Sequence, residues 1–321
     1  MAENFLKKAK GIHYGYGKEN YKEGVPLLPA FHPDVFTESL ANFKMFPDDI
    51  YFTGYMRTGT YIGLEVLQLI LNDVDTETLR NTPIYDRIYH ILVSRDYFIP
   101  GKLKGFEHGE SPLPWLSEQK SPRLLKTHGL YEFAPKDAKT GKCKVIVATR
   151  NPKSTYLSWF KLMQTLTPVF PDGITWEDYF AAVISGENKH LVLGTWFDFY
   201  LDWWKHRDDM SIYFLNYEAL FKDGRNGRKV IKELTEFLGK TLTEEKITEI
   251  LKYIDFDQCK QNPSFSKALK NMPTTSEKTS HMRKGKIDDW KNYFTVAQSE
   301  QFDQLYKEKM DGSGFPEPVY E

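Results

Sequence analysis

Lys126 and His128 stand two residues apart in Arg123-Leu124-Leu125-Lys126-Thr127-His128. If the segment is extended, both side chains share one face. An imidazole beside a cation stays neutral more readily, and neutral imidazole is the form that a general base needs. The chain has eight histidines, so a lone one is more often structural than chemical. No Gly-x-Ser-x-Gly turn or His-Glu-x-x-His helix competes with this pair. His108-Gly109-Glu110 lacks the Cys-x-x-Cys of a zinc deaminase, and Cys143 and Cys259 are too few for a zinc cluster, so no metal ligand set is read.

Two further segments have the chemistry of anion binding. Gly54 to Gly59 has G-x-x-x-x-G spacing, in which glycines let backbone N–H groups approach a phosphate and a helix opening at Thr60 adds its positive end. The Lys-Ser/Thr of an ordinary ATPase or GTPase is replaced by Thr60-Tyr61, and no magnesium-handling residues stand out. Taken alone, the loop fits a plain strand-to-helix turn equally well. Arg283-Lys284-Gly285, after His281-Met282, suits a loop closing on a phosphate, because guanidinium forks and backbone N–H groups both aim at anionic oxygens. Basic pairs before glycine also occur in many solvated loops.

The elements that must position these residues can be read from apolar patterning. Runs at Ile50–Thr53, Arg123–Leu125, Val145–Thr149 and Ile212–Leu215 predict strands. Thr60–Leu71, Ser154–Leu166 and Trp196–Trp204 repeat apolar positions at helical spacing, and Val230–Leu238 and Glu244–Ile254 predict two more amphipathic helices. A last helix is expected from Thr295, where Thr-Val-Ala-Gln resembles a capping box. Gln261 to Ser280 reads as a long loop. Alternating strands and helices predict an α/β fold with a parallel sheet covered on both faces. Each strand then delivers polar residues to one edge: Gly54–Thr60, Lys126–His128, Arg150–Asn151 and Asn216–Glu218.

Composition narrows the partners. With 43 basic and 44 acidic side chains in 321 residues, bulk charge does not hold this protein on nucleic acid or anionic lipid. Any anion site must be local. The longest apolar stretch, Ile62 to Leu71, is interrupted by Glu65 and Gln68 and is too short to span a bilayer, so no membrane insertion is expected. The N-terminus has no apolar run of a secretory signal, and a cytoplasmic protein is expected.

These residues resemble the cytosolic sulfotransferase family, which transfers the sulfuryl group of 3′-phosphoadenylyl sulfate (PAPS) to hydroxyl or amine acceptors. The resemblance runs from about Tyr55 to Met310. It is carried by Arg123-Leu-Leu-Lys126-Thr127-His128, by Arg150-Asn151-Pro-Lys-Ser-Thr-Tyr-Leu-Ser158, and by Arg283-Lys284-Gly285 followed by Asp289-Trp290-Lys291. It implies a single α/β domain over residues 1–321, a parallel sheet flanked by helices in the P-loop nucleotide-kinase-like sulfotransferase fold. Residues 1–46 would contribute to the acceptor side, and residues 261–286 would form a lid.

Carried over residue by residue, His128 resembles the catalytic base and Lys126 the cation that stabilises charge on the group in transfer. Arg57, Thr58, Gly59, Thr60, Tyr61 and Ile62 match the first cofactor loop, with Gly59 and Thr60 at the phosphosulfate end and Arg57 at the position of a lysine that assists the leaving phosphate. Arg150 and Ser158 resemble ligands of the 3′-phosphate, over which Met282, Arg283, Lys284 and Gly285 would close. Tyr217 and Phe265 match adenine contacts. The resemblance further implies PAPS as cofactor and PAP as its product, a small lipophilic acceptor near Tyr97, Phe98, Leu162 and His281, and a homodimer through Lys291–Glu300, where Lys291-x-x-x-Thr295-Val296-x-x-x-Glu300 matches the family's dimerisation segment.

The first loop departs from the usual Y-P-K-S-G-T-T-W. Arg57 stands for lysine and Ile62 for tryptophan. A guanidinium is a planar fork rather than a movable point charge, so weaker or slower use of PAPS is expected. Two alternatives to simple transfer stay open: a PAPS- or PAP-binding relative with little transfer activity, and a relative in which sulfation drives dehydration of an alcohol.

Overall fold

Successive side chains of a strand point to opposite faces, and here both faces meet apolar partners. In the computed structural model, Ile50–Gly54 (β1), Tyr89–His90 (β2), Leu124–Lys126 (β3), Lys144–Thr149 (β4) and Ile212–Asn216 (β5) form a parallel sheet in the order β2-β3-β1-β4-β5. Ile50, Phe52, Ile146 and Ala148 pack into one buried cluster, whereas Tyr51, Val145 and Val147 pack into the other. Two cores thus sandwich one sheet, as the alternation of strands and helices predicts. The structure describes residues 13–14, 26–27, 31–32, 35, 38–94, 96, 109–165, 173–187, 190–266 and 285–320. None of the described helices is long and apolar enough to cross a membrane.

The helices that bear on the site are Thr60–Leu71 (α1), Pro152–Met163 (α2), Trp196–Lys205 (α3), Gly224–Phe237 (α4), Glu244–Tyr253 (α5) and Val296–Met310 (α6). Two of them start earlier than apolar spacing predicts, because polar caps act upstream of it. The Asn151 side chain accepts from Ser154 N with Pro152 in the first turn, and that of Asp223 accepts from Asn226 N. The capping box at Thr295 is present with Gln298 as the returning partner. The expected long loop from Gln261 is instead helical at Pro263–Ser266, and its later part lies outside the described residues. Strand β2 escapes the sequence pattern because two residues make no apolar run.

The chain steps from β1 to one side of the sheet for β2 and β3, then to the other for β4 and β5. The sheet therefore changes direction at β1, and a crevice opens beyond its carboxyl end. Strand β3 is pinned beside β1 by a buried ion pair. The Arg123 guanidinium donates to Asp49 Oδ2 at 2.6 and 3.1 Å and to the carbonyls of Leu116 and Lys44, while Arg123 N donates to Asp49 Oδ1 at 2.9 Å. A buried pair with its remaining donors satisfied fixes register more than it adds stability. Here the register decides where Lys126 and His128 emerge.

Candidate active site

Lys126 is the last residue of β3, and His128 follows it onto the same face. Their nitrogens meet: Lys126 Nζ lies 2.7 Å from His128 Nε2 and 2.6 Å from Nε2 of His90 on β2. His128 Nδ1 lies 2.6 Å from the Gly54 carbonyl at the end of β1. A carbonyl only accepts, so Nδ1 carries the proton and Nε2 presents its lone pair. Burial holds the His128 imidazole well below its ordinary proton affinity; the Lys126 charge adds to this, the Gly54 hydrogen bond opposes it, and the Arg57 charge adds a little more. Burial alone lowers Lys126. A neutral, correctly tautomeric imidazole at a sheet edge is suited to taking a proton.

The loop after β1 forms the second half of the site. Arg57 and Gly59 both have left-handed backbone, at φ 69° and 80°. Gly59 sits so close to Tyr217 that a Cβ would fall 2.2 Å from the ring. Above that ring lies the Arg150 guanidinium, 4.5 Å from its centroid, and Arg150 Nη1 donates to the Arg57 carbonyl at 3.0 Å. Arg57 reaches onward, its Nε donating to Ser158 Oγ at 3.1 Å. The structure thus brings Arg57, Gly59, Arg150, Ser158 and Tyr217 into one cluster. Thr60 Oγ1, at the start of α1, and Arg150 Nε are buried without hydrogen-bond partners. At the positive end of the helix, these orphaned polar side-chain atoms fit an anionic ligand.

The remaining expected residues fall in different places. Thr58 is buried and donates to the Tyr55 carbonyl at 2.7 Å, shaping the loop. The half-buried Tyr61 has its ring centroid 5.6 Å from Lys126 Nζ. Ile62 is packed in the cluster that holds Phe52, Leu215 and Tyr217, and Leu162 lies in the opposite core. Phe265 sits on the turn Pro263–Ser266. Gly285 has φ 67°, and a Cβ there would meet the Phe256 ring at 2.1 Å. Tyr97, Phe98, His281, Met282, Arg283 and Lys284 lie outside the described residues.

Sequence reasoning brought Glu218 to this edge without its role, and missed His90. Glu218, fully buried, accepts from Asn151 N and Nδ2 at 3.1 Å and stands 3.9 Å from Arg150 Nε. Burial pushes its carboxyl up to about 7 against the pull of Arg150. Glu218 thus holds Arg150 in place from a buried position. The second is His90. The roles of both were legible only through strand register: Thr149 pairs with Asn216, which brings Arg150 beside Tyr217-Glu218, and His90 pairs with Lys126.

Comparison with known proteins gives one consistent answer. The sulfotransferase domain model matches residues 47–314. Mouse sulfotransferase 1B1 is 34% identical over 296 residues, covering 90% of this chain and 91% of that protein. Human sulfotransferase 1C2 is 32% identical over 292 residues, covering 91% and 92%. Among solved structures, mouse sulfotransferase SULT7A1 complexed with PAP superposes with a TM-score of 0.69 at 28% identity, covering 94% of this chain and 96% of that one. Retinol dehydratase in complex with androsterone and the inactive cofactor PAP reaches a TM-score of 0.82 at 19% identity, covering 99% and 96%.

Proposed function

The chain belongs to the sulfotransferase family, and we propose that His128 is the base of its reaction, with Lys126 beside the group in transfer and the Arg57–Ile62 loop, Arg150, Ser158 and Tyr217 holding the nucleotide. The reaction is transfer of a sulfuryl group from PAPS to a small acceptor. When bound, PAPS supplies an activated sulfuryl group at one end and a 3′-phosphate handle at the other. Lys126 is read at the sulfuryl end, and the cluster of Arg57, Arg150 and Ser158 at the phosphates.

One observation carries the assignment of the base: the Gly54 carbonyl fixes the His128 proton on Nδ1, so that Nε2, which Lys126 Nζ meets at 2.7 Å, keeps the lone pair that can take a proton from an acceptor hydroxyl. As that hydroxyl loses its proton to Nε2, its oxygen becomes a nucleophile strong enough for in-line attack. Lys126 Nζ, 2.7 Å away, is placed to meet negative charge gathering on the transferred oxygens. Arg150, steadied by Glu218 and stacked on Tyr217, is placed for the 3′-phosphate together with Ser158. Phe265, Met282, Arg283, Lys284 and Gly285 complete this reading on the adenine and lid side.

The acceptor is read as a lipophilic alcohol or phenol. Incubation with labelled PAPS and a panel of phenols, steroids and aliphatic alcohols should move label onto at least one of them, with turnover below that of relatives carrying lysine and tryptophan in the first loop. Binding of PAP without label transfer to any acceptor would instead support a binding role, and a dehydrated product without a stable sulfate ester would support elimination.

The chain is further read as one domain, cytoplasmic, and a homodimer through Lys291–Glu300. Val296 in that segment is 76% exposed, which leaves it accessible to a partner's surface. Sedimentation should show a dimer that Val296→Asp converts to monomer; a wild-type monomer at micromolar concentration would remove the assignment. Both free cysteines are buried, which accords with a reducing compartment that cell fractionation can test.

A further inference from the structure

Glu65 is a charged residue in the middle of an apolar helix. It stands five residues beyond Thr60 at the start of α1, about 7.5 Å along the axis, and it is fully buried. Its partner is Arg87, the last residue of the helix Ile84–Arg87, whose Nη2 donates to Glu65 Oε1 with only 8% of the side chain exposed. Arg87 is itself held from both sides. Its Nε donates to the Thr82 carbonyl at 3.0 Å, and its own carbonyl accepts from Gln68 Nε2 of α1 at 2.8 Å.

Three further side chains close a ring through the carboxylate, and donors and acceptors alternate around it without conflict. Ser264 Oγ accepts from Arg87 Nη2 at 2.8 Å and donates to Glu65 Oε1 at 3.3 Å. The Ser264 N–H donates to Asn262 Oδ1 at 3.0 Å, Asn262 Nδ2 donates to the Tyr253 hydroxyl at 2.9 Å, and that hydroxyl donates to Glu65 Oε2 at 3.2 Å. Tyr253, Asn262 and Ser264 are all buried. Asn262 precedes the turn Pro263–Ser266 and Ser264 lies within it, so the ring fastens that turn to a helix 199 positions away.

A buried ion pair adds little stability over well-packed apolar side chains, but its directional bonds fix one geometry. Nor is this pair arranged for stability alone: Arg87 Nη1 is buried and has no hydrogen-bond partner among the described residues, a cost that apolar packing would not carry. The geometry being fixed spans the nucleotide site. Helix α1 opens at Thr60 in the loop read as gripping the phosphates, and the turn carries Phe265, the residue after Ser264, read as an adenine contact.

We propose that Glu65 and Arg87 are positioning residues for adenine recognition, which hold the Phe265 turn at a set distance from the phosphate loop. The inference rests on the reading of Phe265 and of the first loop as nucleotide contacts. Glu65 and Arg87 act through Ser264 and Asn262 rather than on the nucleotide itself. Loosening the ring should therefore weaken what the base contributes to binding, and leave in place what the phosphates contribute.

The test compares two ligands on the full chain by calorimetry: PAP, and the corresponding methyl riboside bisphosphate, which keeps both phosphates and lacks the base. Glu65→Gln keeps the size of the side chain and gives up the ion pair. PAP affinity should fall at least about tenfold in this variant, and affinity for the base-free ligand by less than about twofold. Tyr253→Phe removes one hydroxyl from the ring at a point outside the turn, and should cost PAP about fivefold, the worth of one net hydrogen bond, with the base-free ligand again spared. A merely structural role would lower the melting temperature and weaken both ligands alike. Equal losses for the two ligands, or PAP affinity unchanged in both variants, overturn the proposal, and Tyr253→Phe decides alone if Glu65→Gln does not fold. A wild-type chain that does not bind PAP would refute the nucleotide reading and this inference with it, whereas wild-type PAP binding that both variants retain would refute the role of the ring only.

Discussion

His128→Ala should lower sulfuryl transfer by about 10³-fold while PAP binds within about twofold of wild type. The substitution removes the lone pair that Gly54 aims at the acceptor, but no part of the Arg57–Ser158–Arg150 cluster. A loss of PAP affinity as large as the loss of rate would make His128 a structural residue instead. The pH dependence carries a sign. A base acts unprotonated, and burial sets the His128 pKa below its ordinary 6.5. The acid limb of kcat/KM should therefore lie below pH 6.5, with little change from there to neutrality. An acid limb at pH 7 or above would exclude this histidine as the group being titrated.

Gly59→Ala should nearly abolish nucleotide binding and also destabilise the fold. Its backbone sits at φ 80°, where a non-glycine residue costs about 1–3 kcal/mol. The added Cβ would meet Tyr217 Cδ2 at 2.2 Å, and that ring is held between the loop and the Arg150 guanidinium. Relief requires the ring, and with it Arg150, to move, which adds about 1–3 kcal/mol. We expect a melting temperature lower by about 5 °C or more and PAP affinity lower by about 100-fold. Gly239→Ala is the control, since φ is 70° there and nothing lies within 4 Å of the added carbon. It should lose stability from backbone strain alone and keep PAP binding. Equal PAP affinity in the two variants would show that Gly59 does not shape the nucleotide site.

The sheet was legible wherever burial on both faces produced an apolar run. Ile50–Gly54, Lys144–Thr149 and Ile212–Asn216 match their expected strands to within a residue at each end. Helix starts were less legible, because Asn151 and Asp223 cap from positions without apolar periodicity. The charge types at the site were readable, but their directions were not. Nothing local to Arg57 says that its fork turns toward Ser158, a residue 101 positions away. His90, and the partners of Glu218, were invisible for a related reason: each acquires its role from the residue that pairing sets beside it. Two-residue strands such as Tyr89–His90 carry almost no signal of their own, yet this one brings His90 Nε2 against Lys126 Nζ.

The Gly54 carbonyl belongs at once to the loop read as gripping the donor and to the hydrogen bond that aims His128. On that reading, donor recognition and acceptor activation cannot drift apart under mutation. A substitution that displaces the loop even slightly also rotates or retunes the imidazole. Across a series of first-loop variants, donor KM and the acid limb of the rate profile should move together, as two readings of one hinge.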